Sequence, residues 1–150
     1  MTQRASDDKR GKPLAELIER LGRIAHLRCY SANLNPAQWA ALRFLARANP
    51  SARTVTAFAR ANGTTHGTAT QTIGALERKG LIARTPDQKD RRVMRLDLTP
   101  AGSALLTDDP LNELADALDT IPAERSRAFA RELAELTRKL ADSRSSAEKG

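Results

Sequence analysis

The chain has 150 residues, 40% hydrophobic but only 3% aromatic, and its 25 Lys and Arg against 18 Asp and Glu give a net charge of +7. A core for one domain must then be built from Leu, Ala, Ile and Val, a supply that suits packed helices and argues against a β-sandwich. A single cysteine, Cys29, excludes an intrachain disulfide framework and fits a reducing cytoplasm; no apolar run reaches the roughly 18 residues of a membrane span, and the polar, basic start lacks the apolar stretch of a secretory leader.

Residues 1–12 read as a disordered arm and residues 143–150 as a disordered tail, leaving 13–142 as a single folded unit. The first helix is expected over 13–30, where Leu14, Leu17, Ile18, Leu21, Ile24 and Ala25 fall on one face and Pro13 suits the first turn. Asn35-Pro36-Ala37-Gln38 is a start signal, with Asn35 as cap and Gln38 reaching back to it. The helix that follows presents Trp39, Leu42, Leu45 and Ala46 to a core and ends before Asn49-Pro50. A short helix over 54–61 is anchored by Val55, Phe58 and Ala59. After the Asn62-Gly63 turn, Thr64 or Thr65 caps a helix that runs to Lys79 and stops at Gly80. These proportions are those of a helix-turn-helix.

Beyond Gly80 the period changes. Residues 81–85 read as a short strand, and residues 93–98 alternate apolar with polar or charged. The loop between them, 86–92, holds no large apolar residue, so the pair forms a β-hairpin placed as a wing. Thr99-Pro100 caps a further helix, which Asp108-Asp109-Pro110 interrupts. Leu111, Leu114, Leu118 and Ile121, then Phe129, Leu133, Leu136 and Leu140, continue the apolar spacing, as in a self-association seam. The fold class is therefore mainly α with a small β-hairpin wing: a winged helix-turn-helix over about 35–99, flanked by dimerisation helices over about 13–30 and 100–142.

On the helix after Thr65, Ala69, Ile73 and Leu76 share an inward arc at about 100° per residue. Gly67, Gln71, Gly74 and Arg78 point outward, flanked by Thr68 and Thr70. That face is small, uncharged and rich in hydrogen-bonding groups. Small residues let a helix enter a major groove about 12 Å wide, Gln pairs bidentately with adenine, and Thr offers a hydroxyl and a methyl to base edges. The wing adds Arg84, Lys89, Arg91, Arg92 and Arg95 against Asp87 and Asp90; an arginine at a hairpin tip can enter a narrow minor groove.

Asp90-x-Arg92 followed after five residues by Leu98-Thr99-x-x-Gly102 resembles the signature of the MarR family of bacterial winged-helix regulators. Gly67-Thr68, the run from Leu76 to Leu81 and Leu34-Asn35-Pro36-Ala37-Gln38-Trp39 are similar to the same family's landmarks. The resemblance covers residues 14–106, and the C-terminal helices by pattern alone. It implies a homodimer whose first and last helices intertwine, with two winged lobes on one pseudo-palindromic duplex-DNA operator. It implies major-groove contacts from Thr65, His66, Thr68, Thr70 and Gln71, wing contacts including Arg92 in the minor groove, Asp90 orienting that arginine, and structural roles for Thr99 and Gly102. Basic residues are common in the family where His66 and Gln71 stand here, which implies a different base preference. The break at Asp108-Asp109-Pro110 implies a kinked lobe-to-dimer geometry, and Ile121 replaces the usual cap before Pro122.

The expected function is sequence-specific transcriptional regulation, repressing by occluding a promoter. The competing reading is a winged-helix protein-interaction module whose basic face meets an acidic partner. An enzyme is disfavoured: there is no Walker-type Gly-Lys-Ser/Thr, no HExxH and no nucleophile–His–acid set. His26 and His66 lack further ligands at metal spacing, so neither metal nor cofactor is expected. Cys29 reads as an inert, mostly buried thiol and Trp39 as core, and a small-molecule effector of unknown identity remains open as a partner.

Overall fold

The computed structural model describes residues 10–147, with side chains to residue 143. Residues 1–9 of the expected arm and 148–150 of the expected tail lie outside the described residues. The chain runs α1 (Gly11–Arg28), α2 (Pro36–Arg47), a 3-10 turn (Pro50–Ala52), α3 (Val55–Ala61), α4 (His66–Arg78), β1 (Ile82–Pro86), β2 (Met94–Leu98), α5 (Pro100–Leu105), a second 3-10 turn (Leu106–Asp108), α6 (Asn112–Asp119) and α7 (Ala123–Ala147). The two strands pair antiparallel, Ile82 opposite Leu98 and Pro86 opposite Met94.

Capping chemistry accounts for most of the helix starts. Asn35 accepts the Gln38 amide at 2.9 Å while Gln38 Oε1 accepts the Asn35 amide at 3.1 Å, a complete capping box for α2. Thr54, Thr65 and Thr99 each accept the amide three residues on, at 3.1 Å. Gly80, at φ +71°, ends α4; its amide donates to Glu77, and the Leu81 amide donates to Leu76 across the reversed backbone.

Trp39, Leu42 and Leu45 from α2, Phe58 from α3, Ala69, Ile73 and Leu76 from α4, and Ile82 and Leu96 from the hairpin form one buried core. At Gly102 an added Cβ would stand 2.1 Å from the Leu81 carbonyl oxygen, so only glycine lets α5 lie against the α4–β1 corner. Thr99 fastens the same corner, donating its hydroxyl to the Gly80 carbonyl at 2.7 Å.

Several boundaries move. α1 begins at Gly11, so residues 11–12 belong to a helix rather than to an arm; Pro13 sits in the first turn, where its missing N–H costs nothing. α7 runs through Ala147, so residues 143–147 are helical rather than tail. Leu81 is outside β1 because its amide closes α4. Ala46 is exposed; Ala41 takes the inward place. By contrast α1 buries none of its residues, and Leu14, Leu17, Ile18, Leu21, Ile24 and Leu27 are between 43% and 62% exposed.

Candidate nucleic-acid interface

α4 owes its two faces to position alone. Ala69, Ile73 and Leu76 are completely buried, which turns His66, Gly67, Thr68, Thr70, Gln71 and Arg78 to the surface. Gly74 is half-buried because the Arg78 guanidinium lies over it, 3.4 Å from where a Cβ would stand. Thr65 and Thr68 bond to one another at 2.9 Å, and Thr70 and Thr72 donate their hydroxyls to the His66 and Thr68 carbonyls at 2.8 and 3.0 Å. The threonine protons of Thr70 and Thr72 are thereby committed, leaving oxygen lone pairs and methyl groups for an outside partner. No acid occurs on this helix before Glu77.

The wing is organised by its carboxylates. Asp87 accepts the Asp90 amide at 3.1 Å, the Lys89 amide at 3.3 Å and Arg95 Nε at 3.0 Å. The Arg95 hydrogen bond, more than any other contact, holds the Asp87 carboxyl below its ordinary value. Arg95 continues to the carbonyls of Pro50 and Ser51, tying the wing base to the turn before α3. At the tip, Asp90 accepts the Arg92 amide and Nε at 3.1 and 3.0 Å and Nη2 at 3.3 Å, and these bonds lower its pKa as well. Arg92 remains 91% exposed.

The two groups of predicted contacts therefore have different settings. Thr65, His66, Thr68, Thr70 and Gln71 share the exposed side of α4, and Lys89, Arg91 and Arg92 share the exposed tip. Arg84 is held back: its Nε donates to Glu77 at 3.0 Å, anchoring β1 to the end of α4. Sequence reasoning counted Asp87 only as charge opposing the wing. Its place after Pro86, opening the loop, was the available signal that it would collect loop amides.

Other singled-out residues are structural in their surroundings. Cys29 is 4% exposed and Trp39 fully buried, while His26 is exposed with its ring edge-on to Tyr30 at 5.7 Å. Between α1 and α6 lies a largely apolar cleft of about 150 Å³, bordered by Leu21, Ile24, Leu111 and Leu114 and by the ion pair of Arg28 with Glu113. Among the described residues no group of three His, Cys, Asp or Glu could hold a metal, and no helix is long and apolar enough to cross a membrane.

Residues 32–93 match the MarR family. Among solved structures, a probable transcriptional regulator from Pseudomonas aeruginosa is 27% identical and superposes with a TM-score of 0.62 over 87% of this chain and 98% of its own. A MarR family protein from Bacillus stearothermophilus is 23% identical, with a TM-score of 0.66 over 93% and 98%. The S. aureus MepR–DNA complex is 19% identical, with a TM-score of 0.70 over 91% and 99%. No curated protein matches the chain by sequence. The family match spans the helix-turn-helix and most of the wing, and the fold is shared with these solved structures over nearly the whole chain.

Proposed function

We propose that the protein is a homodimeric repressor that binds a pseudo-palindromic duplex-DNA operator, α4 reading the major groove and Arg92 entering the minor groove. The observation that carries this reading is an exposed α4 face of Thr, Gln, His and Gly without a carboxylate, next in the fold to a hairpin whose acids are consumed internally and whose tip arginine is open. A surface meant for an acidic protein partner would gain from Lys and Arg on α4; small neutral groups suit base edges instead. The likeness to MepR in complex with DNA supports the same docking.

The dimer is supported by α1 and α7. Their Leu14, Leu17, Leu21, Phe129, Leu136 and Leu140 are already partly covered, and full burial would add about 1 kcal/mol each, roughly half the value for a wholly exposed side chain. A second copy brings the same two arms, α1 and α7 with α6, and a second winged lobe. Promoter occlusion follows from covering two successive major grooves.

Selection of bound duplexes from a random library tests the reading, with Arg92→Ala as the companion variant. The expected result is an inverted repeat for the wild type. The variant should bind it about tenfold to a hundredfold more weakly, with a salt slope smaller by about 1. No enrichment of duplex sites, or displacement by an acidic polypeptide but not by DNA, would defeat it.

A further inference from the structure

The corner between α5 and α6 holds a charge pair that neither DNA-facing surface uses. Arg43, on α2, donates Nε to Asp109 Oδ2 at 2.6 Å and Nη2 to Oδ1 at 2.7 Å, and the two side chains are only 16% and 11% exposed. The same Nη2 lies 3.5 Å from Cys29 Sγ, on the residue that closes α1. Asp109 Oδ1 also accepts the Leu111 amide at 2.9 Å, so this carboxylate shapes the turn into α6.

One guanidinium thus links α2, the end of α1 and the turn into α6. α2 belongs to the winged lobe, to which α5 is locked through Gly102. α1 and α6 belong to the arms, joined to each other by Arg28 and Glu113. The second 3-10 turn, Leu106–Asp108, breaks the helix between them. Leu105, Leu106 and Leu111 pack on the lobe core beside the pair, but apolar contact is non-directional. A two-pronged Arg–carboxylate pair fixes plane and angle as well as distance.

We propose that the Arg43–Asp109 pair is the joint that sets the angle of the winged lobe against α1 and α6, and thereby the half-site separation the paired lobes accept. The second clause rests on the two-lobed DNA reading above; the first does not. Arg43 and Asp109 are positioning residues, acting on DNA only through the lobe they hold. Two base pairs added between half-sites rotate one by about 70° against the other, a change that a stiff joint cannot follow and a loosened one can.

The test pairs a DNA measurement with one that needs no DNA. Duplexes with the selected half-sites separated by −2 to +2 base pairs are titrated with wild type, with Asp109→Asn and with the apolar exchange Arg43→Met/Asp109→Leu. The exchange fills the site without a directed bond, so it keeps a folded comparison should Asp109→Asn unfold. In parallel, spin labels on unnatural amino acids at exposed Gln88 and Asp116 report the wing-to-α6 distance within one chain, labelled protein being diluted into unlabelled.

The expected result is a single narrow distance and a spacing preference of about tenfold or more in wild type, against a broadened distance and a preference of about twofold in both variants. A distance that stays narrow in both variants overturns the joint, whatever the DNA result. A distance that broadens while wild type binds all spacings alike upholds the joint and sinks the paired half-site reading instead.

Discussion

Asp109 is squeezed by opposing forces whose balance can be measured. Burial pushes its carboxyl upward; the Arg43 hydrogen bonds, the Leu111 amide and the charges of Arg43 and Arg47 outweigh burial and leave it below its ordinary value. A carboxyl lower in the folded than in the unfolded chain stabilises above the unfolded value, about 3.9, and loses that contribution as pH falls through the folded one. Denaturant midpoints should therefore fall more steeply below about pH 4 for wild type than for Asp109→Asn, which at neutral pH should itself cost about 3 kcal/mol. Parallel curves down to acid would contradict this balance. Gly102 makes a second prediction at this scale. Gly102→Ala drives a methyl into the Leu81 carbonyl, and backbone cannot step aside as a flexible side chain would. A loss of about 3 kcal/mol or more, read as a lower Tm, is expected, whereas Gly67→Ala, with open space around it, should cost far less.

Among the elements, α4 and the wing were the most legible in sequence, because their determinants are local. Caps lie three residues from their targets, Gly80 marks its own turn, and the period of Ala69, Ile73 and Leu76 orients the whole helix. The Arg43–Asp109 pair was illegible: its partners are 66 positions apart, and Asp109 was visible only as a helix breaker. The Arg84–Glu77 pair was hidden for the same reason, since the two residues become adjacent only once β1 folds back on α4. For the reading role proposed for α4, Gln71 offers the sharpest measurement. Gln71→Ala should cost about 1–3 kcal/mol on the selected duplex and little on random sequence, with base preference relaxed at one position per half-site. Equal losses on both duplexes would remove Gln71 from base reading.

For the molecule as a whole, the contrast between lobe and arms decides the behaviour. The lobe closes a core on itself, whereas α1 leaves every one of its apolar residues at least partly uncovered. An α1 of that kind has little reason to stay in place without a second chain over it. Leu17→Glu, 62% exposed and far from the lobe core, should therefore yield a monomer that retains the lobe's cooperative unfolding but loses most of its operator affinity. Sedimentation and duplex titration on one preparation check both halves; a stable dimer with full affinity would show that the arms associate elsewhere. Dimerisation was an expectation from the apolar spacing of the terminal segments, but the tie between lobe and arm was not legible, because Asp108-Asp109-Pro110 announces a break without saying what bridges it.

Trp39 gives the joint an optical consequence. It is the chain's only indole, its ring is shut away from solvent, its Nε1 finds no acceptor among the described residues, and the Arg43 guanidinium stands 5.9 Å from the ring centroid. Light absorbed there is re-emitted from one dry environment beside one cation. Any rearrangement that draws Arg43 away changes the intensity and colour of that emission without a label, so the lobe's orientation can be followed in real time as the protein meets its target.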